Sequence, residues 1–312
     1  MFANFLSLAS RQARLCLIIG LACGLLLPGL AAALVPWLPH MVAALLTITA
    51  LRIGHRAALG AVGDLHLGLA AVAVLQMILP LVMLGLLTLG GVQDTPATLA
   101  IVLACAAPAI TGSVNLALLL KLDAGRMMQI LILGMAVFPL TILPVLFALP
   151  QLGDPMQVIG SALRLLAVIL CAAAAGFFLR QWFFPAPSEK EISALDGASV
   201  LAFAFIVVGL MAALNPALRS DPVLVLKWAV LAFAIGYIQQ LGTLLLLRRG
   251  AMRPLAGPLA LGAGNRNIAI FLVALPAEVL APLMVFIGCW QLPMYLTPIL
   301  LPRLYAWALR HE

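Results

Sequence analysis

Residues 257–267 read Gly-Pro-Leu-Ala-Leu-Gly-Ala-Gly-Asn-Arg-Asn and stand within an apolar stretch, 254–275, that is long enough to cross a membrane. Proline removes a backbone donor from a helix and glycine adds conformational freedom, so this helix is predicted to unwind near its centre. Unwound backbone at membrane depth must line a cavity or be buried in protein, because no lipid group can bind its free carbonyls. Asn265, Arg266 and Asn267 place two amides and a guanidinium at this break.

A similar interruption occurs about 150 residues earlier, where residues 106–115 read Ala-Ala-Pro-Ala-Ile-Thr-Gly-Ser-Val-Asn. Two broken helices at equivalent places in two halves of a chain are typical of the transport site of secondary transporters. The alternative is a pair of kinked helices that are joined by interhelical hydrogen bonds. The side chains that we expect to bind substrate are the polar ones of the two breaks: Thr111, Ser113, Asn115, Asn265, Arg266 and Asn267.

The two halves also match elsewhere, in order and with a slowly drifting offset. The matched segments are 14–15 with 164–165, 115–120 with 267–272, and 138–146 with 292–300. The repeating unit, 1–152 and again 153–312, contains five predicted spans. Because five is an odd number, the second copy must enter the membrane from the opposite side, which makes an inverted repeat.

Composition fits an all-α polytopic membrane protein. The 312 residues are 65% hydrophobic and 9% charged, which excludes an ordinary soluble domain, a disordered chain and a nucleic-acid-binding protein. We find no Walker motif for ATP, no cysteine–histidine metal cluster and no catalytic constellation, so an enzyme is not expected and no cofactor is predicted. Polar and Pro/Gly clusters divide the chain into ten spans, near 14–34, 37–52, 64–90, 96–121, 124–149, 157–182, 192–214, 222–248, 254–275 and 278–303.

The positive charges orient these spans. With both termini cytoplasmic, thirteen of the 17 lysines and arginines fall on the inner side and three, Arg164, Arg219 and Lys227, on the outer side. This asymmetry follows the positive-inside rule, and an error of one span would destroy it. We therefore expect a multi-pass protein of a bacterial inner membrane, with the lipid bilayer as its surroundings and an unknown oligomeric state.

Arg266 is the remaining cation and lies inside a span, where a charge costs roughly 2.5–3.5 kcal/mol. Every aspartate and glutamate near a span lies close to its end. The guanidinium is therefore expected to bind backbone carbonyls, a helix C-terminus or an anion from outside. Two roles remain open, contact with an anionic substrate and a structural link between the two broken helices.

The sequence resembles the bile acid:sodium symporter family and its wider superfamily over most of the chain. The resemblance rests on Gln76-x3-Pro80, on Ala107-Pro108-x2-Thr111-x-Ser113 and on Gly264-x2-Asn267. It implies that helices 4 and 9 are discontinuous and cross in the core, beside a cavity for a small organic anion that moves by alternating access. It also places Gln76 and Ser113 on positions that bind sodium in the family.

This chain departs from the family at most of the other sodium-binding positions. Gly262 replaces an acid, Val114 an asparagine, and Met127 and Leu131 replace hydroxyl residues, while Arg266 stands for a glutamine. We therefore expect little dependence on sodium. The remaining candidates are a sodium-independent exporter or uniporter, and a non-transporting channel or sensor on the same scaffold.

Overall fold

The computed structural model describes residues 2–55 and 65–309. Within these ranges the chain is helical and contains no strand, only one isolated antiparallel bridge between Ala109 and Arg266. Arg56, Arg310 and the beginning of the third predicted span, at residue 64, lie outside the described residues. The first half contains α1 (Phe2–Arg11), α2 (Ala13–Leu26), α3 (Pro28–Leu34), α4 (Leu38–Ile53), α5 (Leu65–Ala73), α6 (Leu79–Leu89), α7 (Pro96–Ala106), α8 (Ser113–Leu119) and α9 (Ala124–Ala148).

The second half has the same all-helical character. It contains α10 (Pro155–Phe183), α11 (Glu189–Leu210), α12 (Leu214–Ser220), α13 (Pro222–Leu247), α14 (Arg253–Gly264), α15 (Ala277–Leu280), α16 (Met284–Leu300) and α17 (Pro302–Ala308). Short 3₁₀ turns join several of these helices, and a π-helical turn, Val74–Ile78, lies between α5 and α6.

Seven helical segments of the described residues are long and apolar enough to cross a membrane, as expected of a membrane protein: Pro28–Ile53, Gly68–Leu89, Ala124–Ala148, Pro155–Phe183, Glu189–Ser220, Pro222–Leu247 and Ala277–Leu300. An eighth crossing results if α1 and α2, which are bent by 84° at their junction, count as one span. The predicted spans 96–121 and 254–275 are interrupted instead, as α7 with α8 and as α14 with the 3₁₀ turn Ile268–Val273.

The boundary between the first two predicted spans, at 34–37, is wrong. The chain breaks instead at Leu27, whose φ of −118° and ψ of 71° are not helical, and Pro28 begins the next helix. A proline at the start of a helix is favourable because its missing N–H would be unpaired there in any case. Pro36 is the second residue of the short 3₁₀ turn Val35–Trp37, and this turn does not end the segment, which continues from Pro28 to Ile53.

The helices form two bundles that draw on both halves of the chain. In the first bundle α11 packs against α1, α2 and α4, and α4 packs against α10. In the second bundle α13 packs against α14 and α16, and α9 packs against α5, α8 and α14. Glycines bring helices of the first bundle into close contact: a Cβ on Gly176 of α10 would lie 2.6 Å from the carbonyl oxygen of Thr47 in α4.

Candidate functional site

The two predicted breaks meet inside the second bundle. Pro108 cannot donate a backbone hydrogen bond, and α7 ends just before it at Ala106. The amide of Ile110 then donates to the carbonyl of Asn265, and the amide of Asn267 donates to the carbonyl of Pro108, each at 2.8 Å. These two bonds pair the unwound segments antiparallel, so each break supplies the hydrogen-bond partners that the other lacks.

Arg266 joins this crossing to a third helix. Its side chain is 2% exposed, and three of its nitrogens donate to backbone carbonyls: Nε to Ala263 at 2.9 Å, Nη1 to Ala107 at 2.9 Å and Nη2 to Leu75 at 3.2 Å. Its own carbonyl accepts from the indole Nε1 of Trp290 at 3.0 Å. The guanidinium is therefore held by the backbone, and among the described residues no carboxylate forms an ion pair with it.

The local structure explains why these carbonyls are free. In the π-helical turn the amide of Leu79 donates to Val74, so it does not donate to Leu75 as it would in an α-helix. In a π-helix the carbonyl of Leu75 would accept from residue 80, but this residue is Pro80, which has no N–H. The carbonyls of Ala107 and Ala263 belong to the C-terminal ends of α7 and α14, where carbonyls lack helical partners and the helix dipole favours a cation.

A separate, partly open cavity of about 110 Å³ lies between the two bundles. Its walls are mostly apolar and come from α2, α4 and α11 of the first bundle and from α8, α9 and α16 of the second. The break between α7 and α8 also lines it through Ile110, Thr111 and Gly112. The cavity thus borders the crossing on one side and the first bundle on the other.

An ion pair that the sequence did not reveal lies in the cavity wall. Arg52, at the end of α4, donates through Nε to Asp196 Oδ1 of α11 at 2.7 Å, and its Nη2 lies 3.5 Å from Asp196 Oδ2. The two side chains are 20% and 18% exposed. They are 144 positions apart, and each is a charge near the end of a predicted span, so only the packing of α4 against α11 brings them together.

Three further polar groups of the lining lack a hydrogen-bond partner among the described residues. The hydroxyls of Thr111 and Tyr295 are buried without one, and the amide of Asn115 has none either. Thr49 and Ser199 also line the cavity, but their hydroxyls donate to carbonyls of their own helices. Buried polar groups are normally satisfied by protein, water or a ligand, so the unpaired groups of Thr111, Tyr295 and Asn115 are candidates for contact with a molecule in the cavity.

The predicted site residues therefore divide between two places. Thr111 and Asn115 line the cavity. The remaining four, Ser113, Asn265, Arg266 and Asn267, are buried in the region of the crossing, away from the cavity lining. Asn265 donates from Nδ2 to the carbonyl of Leu261 at 2.9 Å, while its Oδ1 and the Ser113 hydroxyl have no partner in the described chain.

Three features near the crossing disfavour a sodium site. Gln76 Oε1 already accepts from the Thr141 hydroxyl at 3.2 Å. A Cβ on Gly262 would meet the methyl group of Met127 at 3.4 Å and the Cβ of Ala109 at 3.6 Å, so an acidic side chain at this position would have apolar neighbours. The Arg266 guanidinium, bound at Leu75, adds a permanent positive charge beside Gln76.

Neither a family model nor a curated protein matches this chain.

Proposed function

We propose that this protein is a secondary transporter that moves a small organic anion across a bacterial inner membrane by alternating access. In this proposal the two interrupted segments, 96–121 and 254–275, add two crossings to the eight helical ones. The ten crossings form two inverted repeats, 1–152 and 153–312. The pairing of the two breaks supports this arrangement, because equivalent broken helices that meet in the core are typical of such transporters.

The observation that carries the proposal is the cavity between the bundles. It borders the unwound segment at Thr111, and it combines apolar walls with polar groups that have no partner in the described part of the chain. Apolar pockets with a few convergent polar groups are typical of small-molecule sites. A site placed between two bundles is also suited to alternating access, because a movement of one bundle against the other would open it to either side.

Orientation follows from the distribution of basic residues. With both termini cytoplasmic, the cavity lies at the cytoplasmic ends of its helices, near Arg52 of α4, Ala13 of α2 and Met128 of α9. The lining reaches inward as far as Met294 and Tyr295 of α16. We therefore assign the structure to an inward-facing state of the transporter.

The contacts at the crossing favour transport that does not depend on sodium. Met127 packs against Gly262 where an acidic ligand would be needed, and the Arg266 guanidinium supplies a fixed charge without a bound ion. A sodium-independent exporter or uniporter fits these contacts better than a sodium symporter.

The test is flux in proteoliposomes that contain the purified full-length protein. A panel of radiolabelled aromatic and aliphatic carboxylates should include one whose uptake saturates and is accelerated by the same unlabelled anion on the opposite side. Flux that rises linearly with concentration would indicate a channel. Binding of these anions without flux would indicate a sensor and overturn the transporter proposal.

A further inference from the structure

The two arginines near the cavity and the crossing have different hydrogen-bond partners. Arg266 uses its donors on three carbonyls and does not line the cavity. Arg52 lines the cavity, and its shortest contact with Asp196 is made by Nε. Among the residues that the structure describes, its Nη1 contacts only a sulfur, Met128 Sδ at 3.7 Å. Since a guanidinium carries five N–H donors, Arg52 retains donors on the edge that Asp196 does not occupy.

Neighbouring residues fix the position of Arg52. Arg180 of α10 donates from Nη1 to the carbonyls of Leu51 and Arg52, each at 3.3 Å, and so holds the end of α4. Asp196 holds the plane of the guanidinium through its bond to Nε. A cation whose orientation is already set loses little entropy when it binds an anion, and this is a favourable condition for recognition.

The other residues of the cavity wall indicate which kind of molecule would lie against Arg52. Leu45, Leu131 and Phe203 present apolar surface, while Thr111 and Asn115 offer polar groups. Among the described residues, Arg52 and Asp196 are the only charged side chains of the lining, and together they have no net charge. A second negative charge on the ligand would therefore meet Asp196 without a cation of its own.

We propose that Arg52 binds the acidic group of an amphipathic monoanion in this cavity, and that Asp196 both positions the guanidinium and weakens the binding by its like charge. This inference rests on the proposed transport function, which it extends to a ligand class and to a recognition residue. The weakening has a functional consequence, because a transporter must release the anion that it binds.

Two probes of the same shape test this assignment, naphthalene-2-carboxylate and its neutral carboxamide. Their dissociation constants are measured on the full-length protein in lipid nanodiscs. The wild type should bind the carboxylate about tenfold or more tightly than the amide. Arg52→Gln should abolish this preference by weakening the binding of the carboxylate far more than that of the amide, and Arg52→Lys should restore part of it because an ammonium cannot form the planar fork.

Asp196→Asn should act in the opposite direction. The amide oxygen still accepts from Arg52 Nε, but the like charge is gone, so the carboxylate should bind more tightly than to the wild type. A purely structural role for the ion pair predicts instead that both variants lose affinity for both probes. The double variant, with Arg52→Gln and Asp196→Asn, keeps the site uncharged and should bind both probes equally if it folds as the wild type does.

Three results would overturn the assignment: no carboxylate preference in the wild type, an unchanged preference in Arg52→Gln, or a preference that disappears in Arg266→Gln with intact folding. Arg249→Gln, at an exposed arginine outside the cavity, serves as the control. The outcome is independent of the transport test. The expected binding pattern without flux would overturn only the transporter proposal, and flux that does not depend on Arg52 would overturn only this inference.

Discussion

The guanidinium Nη1 of Arg266 donates to the carbonyl oxygen of Ala107 at 2.9 Å, which joins two residues 159 positions apart in the chain. The acceptor is at the C-terminal end of one interrupted helix and the donor directly follows the other. The bond therefore links the two breaks through the side chain of one residue, in addition to the two backbone bonds between them. The contacts of Arg266 are therefore those of a residue that links the two interrupted helices.

Arg266→Gln should destabilise the protein in the absence of any ligand. Glutamine cannot reach three carbonyls, and unsatisfied buried carbonyls together with lost charge-assisted bonds cost at least about 3 kcal/mol. The measurement is the melting temperature of the purified apo protein, with the exposed Arg249→Gln as the control. An apo stability equal to that of the wild type, combined with a loss of carboxylate binding, would place Arg266 in the binding site instead.

Sodium should not stabilise the protein. A ligand present at 100 times its dissociation constant raises the free energy of unfolding by about 2.7 kcal/mol, so an occupied sodium site would be visible as a higher melting temperature. We expect equal melting temperatures in sodium chloride and in choline chloride at the same ionic strength. A sodium-dependent increase that disappears in Ser113→Ala or Gln76→Ala would show that a sodium site exists despite Met127 and Gly262.

The loops at Asp94 and Glu278 should face the same side of the membrane. In the structure both residues line one surface depression, together with Gln151. In a cysteine-free background, Asp94→Cys and Glu278→Cys should react with an impermeant thiol reagent from the periplasmic side, whereas Lys190→Cys should react only from the cytoplasm. Labelling of position 94 from the cytoplasm alone would disprove the ten-crossing arrangement.

Gly176→Ala should destabilise the first bundle. A Cβ at this position would lie 2.6 Å from both the carbonyl oxygen of Thr47 and the Cβ of Ala50, so α10 and α4 must move apart. Overpacking of this kind costs roughly 1–3 kcal/mol. Gly160→Ala on the same helix, where a Cβ would meet nothing within 4 Å, is the matched control and should melt like the wild type. Equal melting temperatures for the two variants would contradict the close packing of α10 on α4.

Sequence patterns predicted the features that depend on local backbone chemistry. Proline at position 108 and glycines at 262 and 264 predicted the two breaks, and the hydropathy of the chain predicted most of the long helices. Pro28 and Pro36 show the limit of such patterns. Both are prolines in apolar stretches of the sequence, but only Pro28 begins a new span.

Two contacts that depend on the packing of particular helices were not predicted. Arg52 and Asp196 each have the sequence context of a solvated charge at a span end, and their pairing requires the contact of α4 with α11. The role of Leu75 as a partner of Arg266 requires the π-helical turn, of which Pro80 was the only sign in the sequence. The N-terminal helix α1, which packs against α11, was not predicted.

Chemical labelling of position 115 from each side of the membrane tests alternating access, the central claim, most directly. Asn115→Cys is placed in a cysteine-free background and exposed to an impermeant thiol reagent from the cytoplasmic side or from the periplasmic side. Ala117→Cys is the control, because Ala117 lies on the same helix with 0% exposure and should react from neither side. Alternating access predicts fast labelling of position 115 from the cytoplasm and slower labelling from the periplasm. Labelling from the cytoplasm alone under all conditions would contradict it, since the cavity would then be a static pocket.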